Sequence, residues 1–221
     1  MKLAHPDINN NIIIEDGEVF ELIIENHSLF YSLITDLALQ MQKADGRAIL
    51  SKENKPVSIS SNVELITDYA FFDLNQKTLL TRILSHLEKR ALDADYYLKQ
   101  QELLSKIECL INDLLLEFSC DMEITTLSMA SLLKASGLKI IDDYKNLEEK
   151  LTAYMELTDE FMGDRLYILV NLKSYLSHKS LDLLLKDASS HNRKILLIDN
   201  HSEIVNKANK YLVIDEDLCE I

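Results

Sequence analysis

The sequence predicts an α/β protein interrupted by a long helical insertion, and three observations predict it. The runs Arg165-Leu-Tyr-Ile-Leu-Val-Asn171, Lys194-Ile-Leu-Leu-Ile-Asp199 and Tyr211-Leu-Val-Ile-Asp215 have the length and unbroken apolar character of strands buried on both faces. A helix capped by Ser177 and running through Ser190 joins the first two, which makes a βαβ unit and part of the sheet parallel. From Val57 to Ser136 there is neither glycine nor proline, so that stretch can hold very long helices.

Taken in order, Asn11 to Glu25 reads as a hairpin: Ile12-Ile-Ile, an Asp16-Gly17 turn, then Val19 to Ile24. Asn26 or Ser28 caps a helix running to about Lys43, with Leu29, Leu33, Leu37 and Met41 recurring on one face. Short strands follow near Arg47–Leu50 and Val57–Ser60, then a stronger one at Val63–Thr67. From Leu74 the period becomes helical, with one stripe of Leu79, Leu80, Ile83, Leu84 and Leu87. A second stripe runs through Leu103, Ile107, Leu110, Ile111, Leu114 and Phe118. The charged segment between the stripes continues the helix or holds a bend. A short helix around Leu127–Ala135 stops at Gly137, and another, Tyr144 to Met162, stops near Gly163. The expected division is an α/β domain from residues 1–72 and 164–221, with residues 73–163 forming a helical domain between them.

Composition excludes several classes. Hydrophobic residues are 47% and charged residues 27% of the 221, a globular balance. No apolar run approaches the roughly 20 residues of a membrane helix, and the N-terminus lacks the apolar core of a signal peptide. Cys109, Cys120 and Cys219 form no CxxC pair. Reduced thiols in a cytoplasmic protein are the expectation, with Cys109 and Cys120 about three helical turns apart on one buried stripe. The formal charge of −14 argues against a nucleic-acid partner. The bases are nevertheless locally enriched. Lys43, Arg47, Lys52 and Lys55 face only Asp45 and Glu53 in their stretch. Arg165, Lys173, Lys179, Lys186, Arg193 and Lys194 face only Asp182 and Asp187 in theirs.

Catalytic patterns are missing. The turn Leu22-Ile-Ile-Glu-Asn-His-Ser-Leu-Phe30 sits where a phosphate loop would, yet it has neither the glycines nor the lysine that such a loop needs. No Gly-x-Ser-x-Gly elbow occurs, and His5, His27, His86, His178, His191 and His201 are dispersed. The sequence does not read as that of an enzyme. Glu117, Asp121 and Glu123 cluster where the long helix ends; they read as solvated acids or as part of a calcium site, which wants six to eight oxygens. Asp68 and Asp73, around the aromatic pair Phe71-Phe72, read as structural punctuation: Asp68 closes a strand, and Asp73 caps the next helix at capping-box spacing from Gln76.

Four segments in order resemble one family. They are Val63-Glu-Leu-Ile-Thr-Asp-Tyr-Ala-Phe-Phe-Asp-Leu-Asn75, Leu132-Leu-Lys-Ala-Ser-Gly-Leu-Lys-Ile140, Arg165-Leu-Tyr-Ile-Leu-Val-Asn-Leu-Lys-Ser-Tyr-Leu-Ser177 and Tyr211-Leu-Val-Ile-Asp-Glu-Asp217. Together they resemble the accessory spacer-acquisition proteins of type II-A CRISPR systems, the second member of the Csn group. The resemblance implies a head domain similar to a P-loop NTPase that has lost its phosphate loop, with no nucleotide, and a helical leg domain. It also implies a homotetrameric ring that binds double-stranded DNA ends without catalysis and is stabilised by calcium. The implied partners are the CRISPR spacer integrase and the RNA-guided effector nuclease. Carried over by position, Lys52 and Lys55, with Lys43 and Arg47 close by, are the implied DNA-binding residues. Glu117, Asp121 and Glu123 are the implied calcium ligands, and Asp68 and Asp73 form the hinge between the domains.

Overall fold

The computed structural model describes residues 1–200, 208 and 210–221; His201 lies outside them. Along the chain run β1 (Lys2–His5), β2 (Ile8–Ile13), β3 (Val19–Ile24), α1 (His27–Met41), β4 (Ile49–Lys52), β5 (Lys55–Val57), the short α2 (Ile59–Asn62) and β6 (Val63–Ile66). Three helices follow: α3 (Lys77–Ala91), α4 (Ala94–Leu115) and α5 (Met129–Ala135). The chain then continues with α6 (Leu147–Met162), β7 (Leu166–Val170), α7 (His178–Ser190), β8 (Lys194–Asp199) and β9 (Lys210–Ile214).

Two compact units result: Met1–Phe72 with Asp143–Ile221, and Asp73–Asp142. The second division therefore falls at 142/143 rather than at the expected 163/164. The reason is burial. In α6, Leu151, Tyr154, Met155 and Thr158 are all buried, and Tyr167 of β7 donates to Met155 O and to Asp159 Oδ1 at 3.2 and 2.7 Å. The helix belongs to the layer beside the sheet.

In the first unit a five-stranded sheet runs in the order β6-β7-β8-β3-β9, with every pair parallel. All six positions of β3 and of β8 are buried, as strands covered on both faces require. Alternate residues Leu22, Ile24, Leu196, Ile198, Ile168 and Val170 share one core with Leu29, Leu33 and Leu37 of α1. Each such leucine contributes about 1.5–3 kcal/mol by leaving water. Asn26 starts α1, its Oδ1 accepting from Leu29 N at 2.9 Å. A second sheet, β2-β1-β4-β5, is antiparallel throughout.

The hairpin expected over Asn11–Glu25 does not form. β2 pairs with β1, whereas β3 pairs with β8 and β9 in the other sheet. The Asp16-Gly17 turn, with Gly17 at φ +76°, instead carries the chain from one sheet to the other. Burial separates the two strands: β2 exposes the asparagines of Ile8-Asn-Asn-Asn-Ile-Ile13, while β3 exposes nothing.

In the second unit α3 and α4 meet at a bend at Leu92–Asp93, where Asp93 O accepts from Tyr96 N and Tyr97 N, both at 2.9 Å. Asn75 ties the unit's two ends together: its Oδ1 accepts from Ile140 N at 2.7 Å and its Nδ2 donates to Ile140 O at 3.1 Å. The expected leucine stripe of α4 is not buried. Leu103, Leu110 and Leu114 are exposed, and so is Phe118 beyond the helix end. Cys109, Cys120 and Cys219 are exposed too, and α4 stops at Leu115, so it cannot hold Cys109 and Cys120 in one helical register.

Candidate nucleic-acid interface

The four basic residues of the 43–55 stretch divide into two kinds. Arg47 lies against the carboxylates of Asp36 (Nε–Oδ2, 2.9 Å) and Asp7 (Nη1–Oδ2, 2.8 Å) and also donates to Ser32 Oγ. A hydrogen bond with His5 Nε2 at 2.9 Å, joined by the Arg47 guanidinium, outweighs burial and holds the Asp36 carboxyl below its usual range. Lys52, on β4, donates to Asp164 Oδ2 at 2.9 Å. The same carboxylate receives Lys194 on its other oxygen at 2.5 Å, and Lys194 reaches Asp16 at 2.7 Å. Burial opposes charge on Asp164, but the hydrogen bonds from Lys194 and Lys52 outweigh it and hold the carboxyl low. Arg47 and Lys52 therefore hold loops and sheets of the first unit together.

Lys43 and Lys55 differ from that pair. Both are exposed, and among the described residues neither carries an ion pair. Lys43 sits in the left-handed region at φ 63°, just past the end of α1, and Lys55 opens β5 after the Glu53-Asn54 turn. Lys43 borders a cleft of about 530 Å³ whose polar lining is Gln40, Ser58, Ser60 and Ser61, with no acidic residue.

The second basic stretch is not a surface patch. Arg165 is buried against Glu64 at 2.9 Å, and Arg193 against Asp159 and Asp187 at 2.6 and 2.8 Å. Lys194 is held as above. Lys173 pairs with Glu21 and lies 3.5 Å from Asp199 Oδ2. Only Lys179 and Lys186 of that stretch are exposed. The local excess of positive charge is used inside the fold.

The Lys173–Glu21–Asp199 cluster was not legible in the sequence. It forms because β3 and β8 run in parallel register, Ile23 opposite Asp199, which puts Glu21 and Asp199 on one face. It lies toward the carboxyl ends of the strands, where open α/β sheets usually hold ligands. The neighbouring β3–α1 turn is filled by its own side chains: Asn26 caps α1 and donates through Nδ2 to Glu216 O at 2.9 Å.

Glu117, Asp121 and Glu123 do not converge. Helix α4 ends at Leu115, so the one-turn spacing of Glu117 and Asp121 has no helix to act through, and all three are exposed. Among the described residues no three of His, Cys, Asp and Glu gather as a metal would require. The residues present do not fit a calcium site built within one chain.

Asp68 closes β6 as expected, its Oδ1 accepting from Ala70 N and Phe71 N at 3.0 and 3.1 Å. Asp73 does not cap α3. The cap position is Gln76, and Asp73 Oδ1 accepts from Asn75 N at 2.8 Å, folding the approach to the helix instead. Asn75 then reaches across to Ile140, a role its place in the sequence did not reveal.

The site and the fold together define a class: a two-unit α/β protein whose parallel sheet has no glycine-rich phosphate turn and whose exposed Lys43 and Lys55 lie on the first unit. The chain belongs to the CRISPR-associated protein (Cas_Csn2) family, whose model matches residues 40–218. All four segments that carried the resemblance lie inside that match. The crystal structure of Stu0660 of Streptococcus thermophilus is similar, with a TM-score of 0.63 at 14% sequence identity. The similarity covers 97% of this chain and 74% of that one. At that identity the likeness extends to the fold. Among the described residues, no helix is long and apolar enough to cross a membrane.

Proposed function

We propose that this chain is a non-catalytic, cytoplasmic protein that binds double-stranded DNA ends independently of sequence, as a homotetrameric ring, during CRISPR spacer acquisition. The single observation that carries this reading is its membership of the CRISPR-associated family. In this reading the sheet-bearing unit is a P-loop-NTPase-like head without its phosphate loop, and the helical unit is a leg. Its partners are the spacer integrase and the RNA-guided effector nuclease.

Lys43 and Lys55 make the first contact with the phosphate backbone. Their ammonium groups need break no internal ion pair to meet phosphate, whereas Arg47 and Lys52 do. The acid-free, serine-lined cleft beside Lys43 offers hydroxyl donors to the same oxygens. Such contacts are blind to sequence and weaken steeply with salt. The exposed leucines of α4 supply apolar surface for contact between copies. A gel shift at low salt tests the reading: linear duplex is retained and closed circular duplex of equal length is not. Equal retention of the circle excludes threading over an end.

A second reading has its own observation. The same apolar face of α4, on a chain of net charge −14, also suits a protein-interaction scaffold without intrinsic DNA binding. Absence of any duplex shift at low salt, with or without calcium, selects it.

A further inference from the structure

Gln100 lies in the second unit, where α3, α4 and α5 border an open pocket of about 450 Å³. It is the one buried residue of α4, only 5% exposed, and among the described residues its side-chain amide makes no hydrogen bond. The remaining exposure reaches that amide, so water meets it in the free chain and a ligand group that both donates and accepts can take the water's place. Gln100 lines the pocket, so such a group enters from there. The rest of the lining separates into two parts. Leu87, Leu103, Met129 and Leu133 give an apolar floor. Arg90 and Lys99 also line it, each over the ring of Tyr96, 5.8 and 5.7 Å from its centre. No acidic residue lines the pocket, although acids outnumber bases 37 to 23 in the chain.

These three features together specify a ligand. A carboxylate with a plain hydrocarbon body would use the floor and the cations but offer only acceptors to an amide that both donates and accepts. A nucleobase is flat and largely apolar on its faces, and its edge carries donors and acceptors side by side. Its phosphate needs cations. We infer that this pocket takes one unpaired nucleotide of a DNA strand, base on the apolar floor with its edge on Gln100, phosphate on Arg90 and Lys99. An amide can turn its oxygen or its nitrogen toward the base, so the contact tolerates different bases. The inference rests on the DNA-end reading above, since a frayed or resected end is where an unpaired nucleotide occurs.

The test is calorimetric titration of the full chain with deoxyadenosine 5′-monophosphate, and with deoxyadenosine for comparison. The nucleotide should saturate one site per chain and bind about tenfold more tightly than the nucleoside. Gln100→Leu should weaken the nucleotide about tenfold without lowering the melting temperature. Arg90→Gln with Lys99→Gln should make nucleotide and nucleoside equal; both positions are exposed, so this variant keeps the test open if the core substitution fails to fold. No heat up to about 10 mM nucleotide, or unchanged affinity in both variants, overturns the pocket. The two readings fail separately. A duplex shift with no mononucleotide binding removes the pocket and leaves the DNA reading. Mononucleotide binding through Gln100 with no duplex shift supports the pocket and removes that reading.

Discussion

Lys52 Nζ lies 2.9 Å from Asp164 Oδ2, and through that carboxylate it is linked to the buried Lys194. Lys52 therefore joins the small sheet to the starts of β7 and β8, inner strands of the large one. Its charge is engaged before any DNA arrives.

Substitution separates the two kinds of lysine. Lys43→Glu with Lys55→Glu should reduce duplex binding at least about tenfold and lower the salt slope by about two, one per lost phosphate contact. The melting temperature should stay unchanged, because neither side chain has an ion-pair partner among the described residues. Lys52→Glu should lower the melting temperature instead, since it sets a second carboxylate against Asp164. Gel shifts over a salt series, read beside thermal melts, check both. Full DNA affinity in the Lys43/Lys55 variant would remove those residues from the interface.

Burial makes the Glu64–Arg165 pair the most sensitive charge contact of the first unit. The pair spans 2.9 Å between β6 and the start of β7, and Tyr154 donates to the other Glu64 oxygen at 2.6 Å. Burial raises the Glu64 carboxyl above its usual range, against the hydrogen bond from Tyr154 and the Arg165 charge. Arg165→Met should cost about 3–5 kcal/mol, because it leaves a buried carboxylate without its cation. Glu64→Met with Arg165→Met should recover at least half of that loss. Urea titration of the three proteins measures it.

Acid should act on stability through Asp164. Its folded pKa lies below the ordinary 3.8, so the unfolded chain takes up the proton first as pH falls. The stabilisation is whole above the ordinary value and is lost as pH drops through the lower, folded one. Wild type should therefore melt higher than Asp164→Asn at pH 7, by no more than about 1 kcal/mol since the carboxylate is half exposed. The gap should close in strongly acidic buffer. Melting curves from pH 7 downward read the closure directly; a gap that widens toward low pH contradicts the sign.

Gly46, inside the basic stretch that follows α1, has no room for a side chain. A Cβ there would come within 2.7 Å of Asp36 O and 2.6 Å of Gln40 Cγ. Gly46→Ala should destabilise by about 1–3 kcal/mol through backbone displacement, lowering the melting temperature by several degrees. An unchanged melt would show that the end of α1 yields freely.

The strands and the main helices were readable because their patterns are local. The apolar runs of β7, β8 and β9, the asparagine cap of α1 and the serine cap of α7 each need only a few neighbouring residues. Partnership was not readable. Periodicity put β2 and β3 next to each other, but burial of all six β3 positions requires neighbours on both sides, and those came from the far end of the chain. The charge pattern misled for the same reason. Arg165, Arg193 and Lys194 look like a surface excess in sequence, yet their acids, Glu64, Asp159 and Asp164, arrive from other elements. Gln100 gave no signal, since a glutamine in a helix is ordinary until its surroundings are known.

Light scattering on a sizing column decides whether four copies form a ring that takes up a DNA end. The chain of 25.4 kDa should elute as one species of four times that mass. Adding a short linear duplex should raise the mass by that of one duplex, with or without calcium. A monomer mass, or a tetramer whose mass the duplex leaves unchanged at low salt, would contradict it.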